Sequence, residues 1–172
     1  MTNTKIYRSI SLLLAIISLL SLCSCRNREK PSCRTLLSAL TESEIALPAG
    51  KTYSLSASEG EAEYLSPSLL ASIYGNGEPP ALLDSWLDCA IFLPRSEHPC
   101  EFAVFLCDSH NSATDTAKLL CRRLDLIRSA KDSDEYRAML DSATVTVNGN
   151  FVIFIVSSDT KSALSAVRSA MK

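Results

Sequence analysis

Two histidines and two cysteines near the middle of the chain have the side chains best suited to metal chemistry: His98, Cys100, Cys107 and His110. Zinc binds such groups when its ligands converge within about 2.3 Å of one ion. Residues 101–107 predict a strand, however, and seven steps of about 3.3 Å separate Cys100 from Cys107 by roughly 23 Å. That separation also excludes a disulfide between them, because bridged Cα atoms lie within about 7 Å. We therefore expect no metal site and no cofactor.

Nucleophilic catalysis needs a serine or cysteine beside a base that is itself oriented. Asp108, Ser109 and His110 are adjacent in the sequence, but triads are assembled from separated segments, and no serine lies in a nucleophile-elbow pattern. The 19 acidic residues could supply a carboxylate pair, yet nothing singles out two of them. None of the five glycines lies in a phosphate-binding loop. We expect no catalytic residue and a protein that is not an enzyme.

The first 24 residues have the pattern of a secretion signal. Lys5 and Arg8 precede an apolar run from Ile10 to Leu22, and the chain turns polar after Cys25. The run is 13 residues long, whereas a membrane-spanning helix needs roughly 20. We predict a signal peptide over residues 1–24; an uncleaved membrane anchor and plain secretion are the alternatives.

The string Leu22-Cys23-Ser24-Cys25 resembles the lipobox of bacterial lipoproteins. Ser24 is the small residue that should precede the modified cysteine, whereas Cys23 follows the bulky Leu22. We therefore predict Cys25 as the lipidation site. Two acyl chains such as palmitate would hold the protein to the bilayer, because each buried methylene contributes about 0.8 kcal/mol. The expected location is the cell membrane, lipid-anchored on the extracytoplasmic face.

Removal of the signal peptide leaves 148 of the 172 residues, enough for one domain with a core. The remaining 15 basic and 19 acidic residues give a formal charge of −4 without a basic stripe, which argues against nucleic acid as a partner. Besides Cys25, the mature chain has five cysteines, an odd number that prevents complete internal pairing: Cys33, Cys89, Cys100, Cys107 and Cys121. Several lie in apolar patterns, where cysteine often serves as a small hydrophobe, so their disulfide state stays open.

A polar tether over residues 25–32 is predicted to precede a single domain over residues 33–172. Hydrophobic spacing and turn signals predict helices over 33–41, 67–74, 112–130, 133–140 and 159–171. Strands are predicted over 86–93, 101–107, 143–147 and 150–156, the last two joined by an Asn148-Gly149 hairpin turn. A lone Trp86 at a strand start is interpreted as core packing.

These elements predict an α+β fold: a mostly antiparallel, four-stranded sheet made of two ββα units, with helices on one face and helical segments before it. The last strand is a difficulty for this arrangement, because both of its faces are apolar. We expect the segment from Leu36 to Ile73, through Leu36, Leu40, Leu69 and Ile73, to cover the second face; a partner protein is the alternative.

The domain resembles domain of unknown function 4358, a family found in lipoproteins of Gram-positive anaerobic bacteria. The similarity lies in the lipobox, the polar tether, the Tyr74-Gly75 loop, the apolar hairpin, the long helix and the terminal hairpin with its helix. It covers about residues 33–172 and is most specific at Val145–Val152. The family has no assigned activity or catalytic residues, so the resemblance implies a fold and a cellular location only.

These observations favour a membrane-anchored cell-envelope lipoprotein with a non-enzymatic binding domain. Its expected partners are the lipid bilayer, through acylated Cys25, and another envelope protein or a wall component. One alternative is a solute-binding lipoprotein of a transporter, although 148 residues are few for two lobes and a cleft. A hydrolase with a dispersed active site is the other.

Overall fold

The computed structural model describes residues 30–44, 46–75, 77–95, 97–131 and 133–172. The predicted signal peptide, Cys25 and the first part of the tether lie outside the described residues. The five α-helices of the described chain, α1 to α5, are Cys33–Ser43, Pro67–Tyr74, His110–Ala130, Asp134–Ser142 and Thr160–Ala170. The five strands, β1 to β5, are Gly50–Ser54, Trp86–Pro94, Glu101–Cys107, Thr144–Asn148 and Phe151–Val156. No helix among the described residues is both long and apolar enough to cross a membrane.

The strands form one antiparallel sheet in the order β1-β2-β3-β5-β4. The predicted α+β class and antiparallel sheet are confirmed, but the sheet has five strands where four were predicted. The additional strand, β1, pairs with β2 through contacts such as Thr52 opposite Phe92. Its short sequence, Gly-Lys-Thr-Tyr-Ser, has no sustained hydrophobic alternation. A Cβ atom on Gly50 would lie 2.2 Å from the Phe92 ring, so this close pairing requires glycine.

Helices cover both faces of the sheet, which corrects the prediction of helices on one face. On the first face, here the α3 face, α2, α3 and α4 pack on residues such as Phe105 and Phe154. On the second face, the α1 face, α1 and α5 pack on residues such as Phe102 and Ile155. The physical reason lies in the central strands β3 and β5, which carry apolar side chains on both faces and therefore need two covering layers.

The N-terminal segment divides between the two faces. Leu36 and Leu40 are fully buried on the α1 face, as expected for a segment that covers the second face. Leu69 and Ile73 instead pack on the α3 face, so the prediction was wrong for them. The change of side occurs because β1 joins the sheet between α1 and α2.

Helix α3 begins two residues before its predicted start. The Ser109 hydroxyl accepts the backbone N–H of Ser112 at 3.2 Å, which makes Ser109 the N-cap. Trp86 packs in the core as predicted: it is 5 % exposed and its indole N–H donates to Thr116 Oγ1 at 2.9 Å.

The terminal hairpin turns one residue later than predicted. Asn148 pairs with Phe151, so the two turn residues are Gly149 and Asn150, not Asn148 and Gly149. Gly149 has a φ of 60°, in the left-handed region that favours glycine. The turn fits the preference of two-residue hairpins for positive φ at the first turn position.

Gly149→Val is expected to lower the free energy of unfolding by about 1–3 kcal/mol, because a β-branched residue resists positive φ. Urea unfolding of the mature protein would measure the loss. Gly149→Asn is the matched control and should cost less, since asparagine tolerates this conformation. Equal midpoints for the valine variant and the native protein would contradict the turn.

Candidate functional site

The two histidines and two cysteines considered for metal binding lie at opposite ends of β3. His98 Nδ1 accepts the backbone N–H of Cys100 at 3.1 Å, next to the start of the strand. At the far end, His110 Nδ1 lies 3.3 Å from the carbonyl oxygen of Gly149. Within the described ranges, no three histidine, cysteine or acidic side chains are arranged to hold a metal ion.

Asp108, Ser109 and His110 form a helix cap. Ser112 donates its hydroxyl to Asp108 at 2.5 Å, and this hydrogen bond lowers the pKa of the Asp108 carboxyl. Ser109 caps the first turn of α3, and the ring of His110 is directed to the hairpin carbonyl. The three residues therefore begin a helix and are not arranged as a nucleophile, a base and an orienting acid.

The five described cysteines are free thiols, and only Cys121 among them is exposed. Burial raises the pKa of Cys100 to about 12 and raises the pKa of Cys89 well above its usual value. Burial and the neighbouring Asp88 carboxylate raise the pKa of Cys33. Since the thiolate is the reactive form, these buried cysteines serve as small core residues.

The candidate site is a groove along the C-terminal half of α3, here called the α3 groove. Its first part is a cavity of about 670 Å³ between α3 and residues 73–75 and 78–82. The adjoining part, about 440 Å³, lies between α3 and residues 93–94 and 97–99. Ile73, Arg123 and Leu126 line both cavities. From Leu119 to Lys131, the helix contributes a wall about 18 Å long, at 1.5 Å per residue.

A buried ion pair lies in this groove. Arg123 donates from Nε and Nη2 to the Glu101 carboxylate at distances of 2.7 to 3.3 Å. The Glu101 side chain is 3 % exposed and that of Arg123 is 25 % exposed. Two-point contact of this kind fixes the plane of the guanidinium. The Arg123 guanidinium is therefore held in a fixed orientation at the junction of the two cavities. Its Nη1 takes no part in the contact to Glu101.

Tyr74 lies next to the buried ion pair of Glu101 and Arg123. Its ring packs edge-on against Phe105 at 5.8 Å and Trp86 at 6.5 Å. Its hydroxyl is buried near the Glu101 carboxylate, although no hydrogen bond of good geometry joins it to a described residue. Burial raises the pKa of Tyr74, and the charge of nearby Glu101 raises it further. Burial also raises the pKa of Glu101, although the Arg123 guanidinium opposes this shift by favouring the carboxylate.

No protein-family model, curated protein or solved structure matches the chain.

The rim of the groove is open and carries balanced charge. Leu126 is 56 % exposed. Arg122 and Asp125 flank it on the helix, and Lys131 lies 3.5 Å from Glu97 across the second cavity. Such a surface can hold a segment with apolar side chains and few net charges.

The sequence reasoning missed Glu101 and Arg123. A usable signal was present, because Glu101 begins a strand whose other residues are apolar, and a buried carboxylate requires a cation. The partner could not be chosen from the sequence, since Arg123 lies 22 residues further on and neighbours Arg122.

A second polar cluster, also missed, joins the two helices of the α1 face. Glu44, at the end of α1, accepts hydrogen bonds from the Ser157 and Ser158 hydroxyls just before α5. Ser142 and Thr160 extend the cluster through a hydroxyl contact of 3.2 Å. The cluster connects the end of α1, the end of α4 and the start of α5 by hydrogen bonds. It lines neither cavity of the α3 groove.

Proposed function

We propose that this protein is a lipid-anchored lipoprotein of the bacterial cell envelope, and that its α3 groove binds an extended segment of another envelope protein. The anchoring part of the proposal is supported by the lipobox that ends at Cys25. We also propose that the protein is a member of the domain of unknown function 4358 family. The binding part is supported by the groove and requires no catalysis.

One observation carries the binding part: the exposed Leu126 lies beside a guanidinium that Glu101 holds in place. Arginine, tryptophan and tyrosine side chains contribute most of the binding energy at many protein interfaces, and a side chain that is already fixed loses less entropy on binding. Arg123 meets this condition, because its buried partner removes the side-chain freedom that binding would otherwise restrict. The adjacent apolar surface gains free energy when a partner covers it.

The shape of the groove favours a peptide over a small solute. A wall of about 18 Å accommodates five or six extended residues at roughly 3.3 Å each. The rim is open to solvent along the groove, because Leu126 is 56 % exposed and the Glu97 side chain is 98 % exposed. The balanced charge of the rim fits an amphipathic segment of a protein better than a strongly charged wall polymer.

The start of the domain is compatible with this arrangement. The backbone N–H of Cys33, at the first turn of α1, donates to the Asp88 carboxylate at 2.8 Å. This hydrogen bond holds the start of α1 against strand β2. From Cys25 to Cys33 the chain can span at most about 29 Å. Cys33 lies on the α1 face and the groove lies on the α3 face, so the start of α1 and the groove are on opposite sides of the sheet.

The anchoring part is tested by mass spectrometry of the protein extracted from membranes. A chain that begins at Cys25 and carries a diacylglyceryl group is the expected result. A mature chain that begins at Cys23, or one that retains Met1, would contradict it.

The binding part is tested by site-specific photo-crosslinking in intact cells. A photoreactive residue at position 126 is expected to capture one envelope protein, and the same residue at position 87 is the matched control. Leu87 is also an exposed leucine, at 65 %, and lines neither cavity of the groove. Arg122→Glu, which reverses a rim charge beside the groove, should weaken the capture at position 126.

Two results would contradict the binding part. Identical crosslinking patterns at positions 126 and 87 would indicate random collisions. Thermal stabilisation of the mature protein by a small solute that also blocks crosslinking at position 126 would favour the solute-binding alternative.

A further inference from the structure

Strand β4 forms an open edge of the sheet. In the hairpin, Asn148 pairs with Phe151, so Asn148, Thr146 and Thr144 direct their backbone groups to β5. On the other side of β5, Asn150 O accepts the N–H of Cys107 at 2.9 Å. Asn150 therefore points to β3 and the next residue, Phe151, points to β4, as the alternation requires. The N–H and C=O groups of Val145 and Val147 therefore point outward, and nothing in the described part of the chain pairs with them.

The opposite edge of the sheet is protected. At β1, the backbone of Ser54 accepts the N–H of Leu65 at 3.3 Å and donates to Glu63 O at 2.8 Å, which covers one end of the strand. Lys51 adds a charge of the kind that prevents edge pairing. Strand β4, Thr-Val-Thr-Val-Asn, has no charge, no proline and no bulge. It retains the features of a strand that pairs with another chain.

We propose that β4 pairs antiparallel with β4 of a second copy of this protein. The outward groups are self-complementary: with Thr146 on a two-fold axis, Val145 of one copy faces Val147 of the other. Each such pair exchanges two backbone hydrogen bonds, which gives four across the interface. No like charges meet, because β4 has none. This pairing joins the two sheets into one and is independent of the proposed function of the α3 groove.

The side chain of Thr146 supports this choice of partner. Its hydroxyl is buried and has no hydrogen-bond partner among the described residues. In the proposed register, the two Thr146 residues form the non-hydrogen-bonded pair on the axis, with Cα atoms about 4.5 Å apart. Threonine hydroxyls at such positions bond to each other across strands. In the proposed dimer, each Thr146 side chain rotates about χ1 so that its hydroxyl leaves its buried position and bonds to the hydroxyl of the second copy.

The symmetry also suits two anchored copies. A two-fold axis perpendicular to the sheet keeps the α1 faces of both copies on the same side. Cys33, the first residue of α1, lies on that face, where its backbone N–H donates to the Asp88 carboxylate. In the proposed dimer the two α1 helices therefore begin on the same side of the joined sheet.

Disulfide trapping tests the register. Thr146→Cys, made in the full-length protein with Cys121→Ser and oxidised in native membranes, should give a disulfide-linked dimer. Asn148→Cys is the matched control: in the proposed register the two positions 148 are about 14 Å apart along the strands, beyond the Cα separation of about 7 Å that a disulfide allows. We expect about tenfold more dimer for position 146 than for position 148.

A second measurement does not depend on introduced cysteines. The mature protein in detergent should sediment as a dimer, and Val147→Lys should shift it to a monomer by placing charge at the edge. Val147→Thr is the control and should remain dimeric. A native protein that is monomeric up to high concentration, or equal trapping at positions 146 and 148, would overturn the proposal. Trapping of a different protein at position 146 would also overturn it.

Discussion

Arg123→Met is expected to lower the free energy of unfolding by about 3–5 kcal/mol, the usual cost of removing one partner of a buried ion pair. The loss arises because Glu101, whose side chain is 3 % exposed, would keep a desolvated carboxylate without its cation. Burial already raises the pKa of Glu101, so the variant should bind a proton more readily in the folded state. Urea unfolding of the mature protein at neutral pH measures the effect.

Two variants separate this effect from simple loss of packing. Arg122→Met removes the neighbouring exposed guanidinium and should change the stability by less than about 0.5 kcal/mol. The double variant Glu101→Leu with Arg123→Met removes both charges and should recover much of the stability lost by the single variant. A double variant as unstable as Arg123→Met would show that the carboxylate is not the source of the loss.

Leu36→Ala should cost about 2–5 kcal/mol, because it opens a cavity under α1. Leu36 is fully buried between α1 and the α1 face of the sheet. The measurement is again urea unfolding of the mature protein, read by far-UV circular dichroism so that both helix layers contribute to the signal.

Leu87→Ala is the matched control for this change. Leu87 is 65 % exposed, and loss of its side chain should change the free energy of unfolding by less than about 0.5 kcal/mol. Equal losses for Leu36→Ala and Leu87→Ala would contradict the role of α1 as a covering layer.

Much of the secondary structure could be predicted because hydrophobic spacing is a local property. Helix α2, at Pro67–Tyr74, and strand β3, at Glu101–Cys107, have the predicted bounds. Strand β1 could not be predicted, since Gly50–Ser54 becomes a strand only by pairing with β2. The two helix layers were suggested by the doubly apolar last strand, but the sequence does not state which helix covers which face.

The candidate site was less accessible to prediction. Glu101 and Arg123 meet through the packing of α3 on the sheet, so their pairing depends on a register that no local pattern contains. The hairpin turn illustrates the same limit at short range. The Asn-Gly dipeptide predicted a turn at Asn148 and Gly149. In the structure Asn148 pairs with Phe151, so the turn lies one residue later, and Asn150 O accepts the N–H of Cys107.

The cluster at Glu44 has a consequence for the order of folding. Glu44 and Ser157 lie 113 residues apart in the chain, and α1 packs against α5 on the same face. Contacts of such long range form late, because closing a long loop costs entropy before any contact compensates for it. When the chain is synthesised from its N-terminus, α1 has no complete surface to cover until β5 and α5 have formed. The chain would therefore complete this face of the fold only after α5 has emerged.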